Sequence, residues 1–145
     1  MSHALNLSDV TIQYSDGDSQ VTALDHVNLA VAPGEFVAIV GPSGSGKSTL
    51  PAVAGALTSP DSGCVEVAGQ DITGLDYAGL AKVRRKNIGS VFQSSGSLPS
   101  ALTAEEQPEL AARVIGQRGR YSNAELLEKV GMTRRPAPPG QPLRR

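Results

Sequence analysis

Eight consecutive residues, Gly41-Pro42-Ser43-Gly44-Ser45-Gly46-Lys47-Ser48, constrain the fold of this chain more than any other segment. The glycines let the backbone curl so that successive N–H groups point at one place and surround an anion at a helix N-terminus. Lys47 supplies a mobile positive charge for the β- and γ-phosphates of a nucleotide, and the Ser48 hydroxyl is a hard oxygen suited to Mg²⁺. The segment is therefore predicted to be a phosphate-binding loop, called the P-loop below, for a Mg-nucleotide.

The segments on either side of the P-loop support this prediction. Phe36–Val40 is a continuous apolar run bounded by glycine, a pattern typical of a strand buried on both faces of a parallel sheet. Ser48–Leu57 is expected to form a helix. A glycine-rich loop without a ligand is the alternative, but the order strand, loop, helix favours nucleotide binding. The fold class predicted is α/β with a P-loop NTPase core.

Strand and helix signals continue along the chain. Val10, Ile12 and Tyr14 alternate with polar residues, which indicates a strand, and a turn at Ser15–Asp18 leads to a return strand over Val21–Val31. The remaining expectations are a strand at Cys64–Val67, a helix at Leu75–Lys86 with Asp76 as its N-cap, and a strand at Ile88–Phe92.

Two capping boxes follow, each a Ser or Thr with Glu three residues later. One helix start is predicted by the pair Thr103 and Glu106, and another by the pair Ser122 and Glu125. Gly131 predicts the end of the second helix.

Composition excludes several classes of protein. Thirteen Lys and Arg against 14 Asp and Glu leave a net charge of −1, so bulk electrostatics does not favour a nucleic-acid partner. The single cysteine, Cys64, permits no internal disulfide, and His3, His26 and Cys64 show no metal-ligand spacing. No apolar run approaches the ~20 residues of a membrane helix, and no signal peptide is evident. We expect a cytoplasmic chain whose association with a membrane is peripheral.

Several spaced motifs together resemble the ATPase domains of ABC transporters. They occur in the family's order: Tyr14, Val21-Thr22-Ala23-Leu24, Pro33-Gly34-Glu35, the P-loop, Pro60-Asp61-Ser62-Gly63 and Val91-Phe92-Gln93. The run Val83-Arg84-Arg85-Lys86-Asn87-Ile88-Gly89 resembles the branch that serves lipoprotein release and macrolide export. The resemblance covers about residues 5 to 132.

This resemblance implies roles for individual residues. Tyr14 would stack on the adenine ring of ATP, although an edge-strand tyrosine is the plainer alternative. ATP would be held by Gly41 through Thr49, and Mg²⁺ by Ser48 and Gln93. Gln93 would also contact the attacking water. Arg84-Arg85-Lys86 is interpreted as a solvated helix end rather than a ligand site.

The resemblance also implies partners and domains. The surface around Gln93 to Leu102 would meet a membrane permease at the cytoplasmic face, and a second nucleotide-binding domain would complete the ATP sites. The permease would select the cargo. We expect a partial nucleotide-binding domain over 1–132, with a core at 1–93 and the start of a helical subdomain at 94–132. The Pro- and Arg-rich tail at 133–145 is expected to be disordered.

Several family motifs are absent from the 145 residues. They contain no Leu-Ser-Gly-Gly-Gln signature, no apolar strand ending in Asp-Glu and no later switch histidine. Three hypotheses follow. The chain is the N-terminal part of the ATPase subunit of an export system; or it is a non-hydrolysing remnant of a truncated or frameshifted gene; or, less well supported, it is a small P-loop kinase or GTPase.

Two prolines are expected to weaken the helices that contain them. Pro51 lies in the first turns of the P-loop helix, and Pro108 lies in the helix that follows Thr103. Proline inside a helix removes a backbone donor and costs ~3 kcal/mol, and less near the helix start. Ser90, where a bulky apolar residue is usual, is expected to thin the core.

Overall fold

The computed structural model of the chain describes residues 3–92, 99–116 and 119–132. Contacts divide it into two units, Met1–Ser90 and Val91–Arg145. The first unit contains β1 (Leu5–Asp16), β2 (Ser19–Val31), α1 (Thr49–Ala54), β3 (Ser62–Val67), β4 (Gln70–Asp71) and α2 (Tyr77–Asn87). The second contains α3 (Glu106–Ile115) and α4 (Asn123–Lys129).

An antiparallel sheet with the strand order β2-β1-β3-β4 organises the first unit. The hairpin of β1 and β2 and the strand at β3 confirm the sequence predictions, and the mixture of strands and helices is α/β as expected. A single buried cluster joins the sheet to the two helices. Its members are Leu7, Val10, Ile12, Leu24, Val53, Ala56, Val65, Val67, Ile72 and Val83.

A bulge in β1 explains how the strand places its apolar residues in this core. Leu7, Val10 and Ile12 are all buried, yet Leu7 and Val10 are three positions apart, a spacing that would put them on opposite faces of a regular strand. The pairing register shifts between Leu7 and Val10, and Asp9 has a positive φ of 56°. The extra residue returns Val10 and Ile12 to the face of Leu7.

β2 is irregular at a matching point and is tied to the bulge of β1. His26 has a φ of 49°. Its Nδ1 lies 2.7 Å from Oδ1 of Asp9, and its amide donates to the Thr11 hydroxyl at 3.2 Å. The Asn28 side chain accepts from the Asp9 amide at 2.9 Å and donates to the His26 carbonyl at 3.0 Å. These side chains satisfy backbone groups that the interrupted ladder leaves unpaired.

α1 is shorter than the helix predicted over Ser48–Leu57. It ends at Ala54 because Ala56 adopts a φ of 55°, the left-handed conformation that closes many helices. The Leu57 amide then donates to the Ala52 carbonyl at 2.8 Å, and the Ala56 amide donates to the Val53 carbonyl at 2.9 Å. This is the Schellman arrangement, with alanine in the position that glycine usually occupies.

α2 begins as predicted, because the Asp76 side chain accepts from the Gly79 amide at 2.8 Å. The end of α2 differs from the prediction at one residue. Arg84 is half-buried rather than solvated, and its guanidinium donates to the Ala56 carbonyl at 2.6 Å. Arg85 and Lys86 are exposed, as expected. Arg84 thus joins the end of α2 to the end of α1.

The prolines interrupt their helices less than expected. Pro51 and Pro108 are each the third residue of their helices, α1 and α3. The N–H groups of the first turn have no acceptor within a helix, so proline removes little there.

Two predicted strands are not formed. Phe36–Val40 and Ile88–Phe92 have no assigned secondary structure, and Phe36 and Val91 are 92% and 101% exposed. A strand requires a neighbour to pair with, and none of the four described strands pairs with either segment. The predictions of a parallel strand before the P-loop and of a strand at Ile88–Phe92 are therefore wrong for this structure.

In the second unit, α4 begins as its capping box predicts, whereas α3 begins at Glu106 with Glu105 as its N-cap and not at Thr103. Glu125 accepts from the hydroxyl and the amide of Ser122, both at 2.7 Å, and these bonds lower the pKa of Glu125. Thr103 and Glu106 make the equivalent contacts one turn before α3. Gly131, with a φ of 74°, follows α4 as predicted.

The expected disorder at 133–145 falls on residues outside the described ranges. Among the described residues, no helix has the length and apolar character needed to cross a bilayer.

We expect the contact between His26 and Asp9, which joins the irregular parts of β2 and β1, to depend on pH. The hydrogen bond from Asp9, and then the negative charges of Asp9 and Asp25, raise the pKa of His26 above 6.5. A raised pKa in the folded state means that the stabilisation is complete below pH 6.5 and is lost as the pH rises through the folded value. Titration of the His26 ring protons by NMR measures this pKa.

Asp9→Asn should return the pKa of His26 toward 6.5, and Asp25→Asn should lower it less, because only the Asp9 carboxylate accepts a hydrogen bond from the ring. Equal effects of the two substitutions would contradict the geometry described here.

Candidate functional site

The P-loop is attached to β2 by a close approach of two backbones. A Cβ atom placed on Gly46 would lie 2.2 Å from the carbonyl oxygen of Ala23 and 3.3 Å from Cδ2 of Leu24. Only glycine fits in this space, and Gly46 also has a φ of 80° that other residues rarely adopt. The third glycine of the motif therefore positions the loop against the hairpin.

The backbone of the loop leaves several amides available. Gly44 and Gly46 have φ values of 81° and 80°, which turn successive N–H groups away from a regular helix. Within the described part of the chain, the amides of Gly44, Gly46, Lys47 and Ser48 donate to no acceptor. Amides in such a curled segment can together bind an anion.

Lys47 lies across this loop. Its Nζ donates to the Pro42 carbonyl and lies 3.3 Å from the Ser45 hydroxyl. Both acceptors are neutral oxygens, and no carboxylate forms an ion pair with Lys47 among the described residues. The positive charge at the loop is therefore not cancelled by a protein anion.

Ser48 and Thr49 lie where the loop becomes α1. Ser48 is exposed, and its hydroxyl makes no capping hydrogen bond although it occupies the N-cap position. The Thr49 amide donates to the Gly46 carbonyl at 2.9 Å, which fixes the start of the helix to the loop. An exposed hydroxyl without a structural role is a suitable donor for a hard cation such as Mg²⁺.

Tyr14 lies on β1 and is 46% exposed, opposite Val21 of β2. Ala23, the residue against which Gly46 packs, is two positions farther along β2 than Val21. Two strand residues span about 7 Å. The β1–β2 hairpin therefore carries both an exposed tyrosine and the support of the P-loop. Gln93, the other predicted contact of Mg²⁺, lies outside the described residues.

The contribution of β2 to the site is the feature that the sequence prediction missed. The backbone of Ala23 and the side chain of Leu24 hold Gly46, yet neither has reactive chemistry. In the sequence, the segment Val21-Thr22-Ala23-Leu24 stands out only through its place in the motif order, and that order is the one signal that points to it.

The second unit contains a cavity of about 600 Å³ beside α3 and α4. None of the predicted site residues lines it. Arg113, which does, is already paired with Glu109 at 2.6 Å.

Comparisons with known proteins agree on one family. The family model described as ABC transporter matches residues 24–141. The chain is 43% identical over 133 residues to the macrolide export ATP-binding/permease protein MacB of Hyphomonas neptunium, and 44% identical over 135 residues to MacB of Escherichia coli K12. These matches cover 90% and 91% of the chain but 21% of each relative. The chain thus spans about a fifth of the length of these curated relatives.

Solved structures show the same likeness. The ATP-binding cassette MJ0796, in a dimeric post-hydrolysis state bound to ADP and Pi, superposes with a TM-score of 0.73 at 41% identity. That match covers 86% of this chain and 53% of the cassette chain. CbiO1 from Clostridium perfringens, described as part of an ABC transporter complex, gives a TM-score of 0.65 at 28% identity.

We expect Gly46→Ala to disrupt the loop more than Gly44→Ala. The two glycines have nearly the same φ, so the conformational strain of alanine, about 1–3 kcal/mol, is common to both substitutions. Only at Gly46 does the added Cβ collide with a backbone carbonyl, whereas Gly44 has open space within 4 Å. Thermal denaturation of the two variants should give the lower Tm for Gly46→Ala. Equal Tm values would show that the approach to Ala23 is not a constraint.

Proposed function

Because this chain belongs to the ABC transporter family, we propose that it binds Mg-ATP on the P-loop and is the nucleotide-binding part of an ATP-driven export system. The observation that carries the proposal is the loop itself. Its free amides and the uncompensated charge of Lys47 converge on one short segment that the hairpin supports. This combination suits the triphosphate of a nucleotide.

We assign each residue of the site one role. Gly41 to Gly46 form the loop around the phosphates, to which Gly44 and Gly46 donate free amides. Lys47 contacts the β- and γ-phosphates, and Thr49 lies at the first turn beyond them. Mg²⁺, when bound, neutralises charge on the phosphates. Ser48 would hold it through the exposed hydroxyl, together with Gln93. Tyr14 stacks on the adenine ring through the exposed part of its side chain.

Binding and hydrolysis make different demands on the chain. Hydrolysis needs a positioned water and stabilisation of charge on the transferring phosphoryl group. The 145 residues contain neither the signature motif nor an apolar strand ending in Asp-Glu. We therefore propose that a polypeptide of these residues alone binds ATP without turnover. The family match removes support from the alternative of a small kinase or GTPase.

The relatives' names support a proposal about the partners. MacB is described as a macrolide export ATP-binding/permease protein. We propose that this chain acts with a membrane permease at its cytoplasmic face and with a second nucleotide-binding domain. In such a system, the permease would select the cargo and the nucleotide-binding domains would couple ATP to its movement.

Equilibrium binding of a fluorescent ATP analogue to the 145-residue chain tests the site. We expect measurable binding that Lys47→Ala weakens at least tenfold, because the only full positive charge of the loop is lost. Phosphate release should stay at the background rate. ATP turnover by the chain that Lys47→Ala abolishes would overturn the proposal of binding without hydrolysis. An affinity for the ATP analogue that Lys47→Ala leaves unchanged would overturn the assignment of the P-loop as the binding site.

The role of Tyr14 requires a separate comparison. Tyr14→Ala should weaken binding about fivefold or more, since stacking on a base contributes ~1–3 kcal/mol, whereas Tyr14→Phe should retain it. Tyr121→Ala is the matched control, because Tyr121 is similarly exposed at 41% but lies in the second unit. An affinity that Tyr14→Ala leaves unchanged would favour the plain edge-strand role.

A further inference from the structure

Arg84, near the end of α2, is a charged residue that the proposed site does not use. It is half-buried, and among the described residues no carboxylate forms an ion pair with it. Its Nη1 donates instead to the carbonyl of Ala56 at 2.6 Å. Burial of a charged group is costly unless the group has polar partners, so the placement of this guanidinium depends on that carbonyl.

The Ala56 carbonyl depends equally on Arg84. Ala56 is 1% exposed, and within the described ranges no backbone amide donates to its carbonyl. A buried carbonyl without a donor is destabilising. This carbonyl also lies just beyond the last residue of α1, where the helix dipole favours a positive charge. The bond therefore satisfies a polar group on each side and ties α2 to the end of α1.

A second contact limits the orientation of the guanidinium. Cζ of Arg84 lies 5.7 Å from the centroid of the Tyr77 ring, and a cation over an aromatic ring is attracted to it. Both residues belong to α2 and are about two turns apart, so they lie on one face of the helix. The side chain of Arg84 is thus held by the ring as well as by the Ala56 carbonyl.

α1 connects this contact to the P-loop. The helix has six residues, Thr49–Ala54, and spans about 9 Å. At its beginning, the amides of Thr49 and Leu50 donate to the Gly46 carbonyl at 2.9 and 3.0 Å. Among the six residues of α1, all of them described, Val53 alone is fully buried. Apolar packing by one side chain fixes the direction of a helix weakly, so the contacts at its two ends matter.

Those two contacts are of different kinds. On the loop side, the backbone of Gly46 packs on the Ala23 carbonyl of β2, and at the far end the Ala56 carbonyl accepts from Arg84. We propose that Arg84 is a positioning residue of the nucleotide site. By fixing the far end of α1, it sets the direction of the helix and hence of the free amides of the P-loop. The proposal rests on ATP binding by the P-loop and adds a residue that does not itself contact the phosphates.

The coupling between the two ends of α1 must act in both directions. If the bond from Arg84 favours the loop conformation that binds phosphate, bound phosphate favours that bond by the same factor. The amides of Ala56 and Leu57 report on this end of the helix, because they donate to the carbonyls of Val53 and Ala52. A ligand also slows exchange through global unfolding, so the reciprocal effect is the additional slowing at these two amides.

The first experiment measures binding of the fluorescent ATP analogue, and of tripolyphosphate by competition, to the 145-residue chain and two variants. The temperature is one at which circular dichroism shows every variant folded. Arg84→Met removes the donor and the charge, and it should weaken both ligands about fivefold or more, as coupled sites typically do. Equal loss for both ligands would locate the effect at the phosphates rather than at the base.

Arg85→Met is the matched control. Arg85 is the next residue of the same helix, is exposed, and loses the same charge when substituted. It should leave both affinities unchanged, because it makes no contact with the end of α1.

The second experiment uses the unsubstituted chain, so it does not depend on the folding of a variant. A saturating concentration of the ATP analogue should slow deuterium exchange at the Ala56 and Leu57 amides about fivefold more than at the amides of β3. In Arg84→Met, this additional slowing should be absent.

Three results would overturn the positioning role of Arg84. One is an unchanged affinity of Arg84→Met, and another is equal weakening by Arg85→Met, which would indicate a long-range effect of charge. The third is exchange at Ala56 and Leu57 that the analogue slows no more than at β3. Each of these leaves ATP binding that depends on Lys47 in place, whereas a failure of the unsubstituted chain to bind ATP would overturn the proposed function as well.

Discussion

The first unit depends on the double pairing of β1. This strand forms hydrogen bonds with β2 on one side and β3 on the other, and it supplies Leu7, Val10 and Ile12 to the buried cluster. Those three side chains share one face only because the bulge at Asp9 inserts a residue between them. A local irregularity of the backbone is therefore a condition for the core, and the helices α1 and α2 pack on a surface that it creates.

The nucleotide site depends on the same strands through one contact. The P-loop has few side chains that reach the core, and it is positioned by the approach of Gly46 to the Ala23 backbone. β2 is in turn held by β1, which also carries Tyr14. The two ends of the proposed ATP site, the tyrosine and the phosphate loop, are thus supported by a single hairpin. This explains why residues without reactive groups matter to the chemistry.

The segment Phe36–Val40 shows how a correct inference about composition can give a wrong prediction about structure. Phe36–Val40 has the pattern of a strand buried on both faces, but its backbone has no neighbour among the described strands. Pattern indicates the environment that a segment requires, and only the rest of the sheet can provide it. Ile88–Phe92 differs from its prediction for the same reason.

The sequence by itself determined the features that depend on neighbours a few residues away. The phosphate-loop motif, the cap of α2 at Asp76 and the capping box at Ser122 each involve groups within about one helical turn, so their spacing in the chain is sufficient. Tertiary structure alone decided the bulge of β1, the bond from Arg84 to Ala56 and the support of the loop by β2. Each of these joins segments distant in sequence, and their contact follows from how the strands and helices pack.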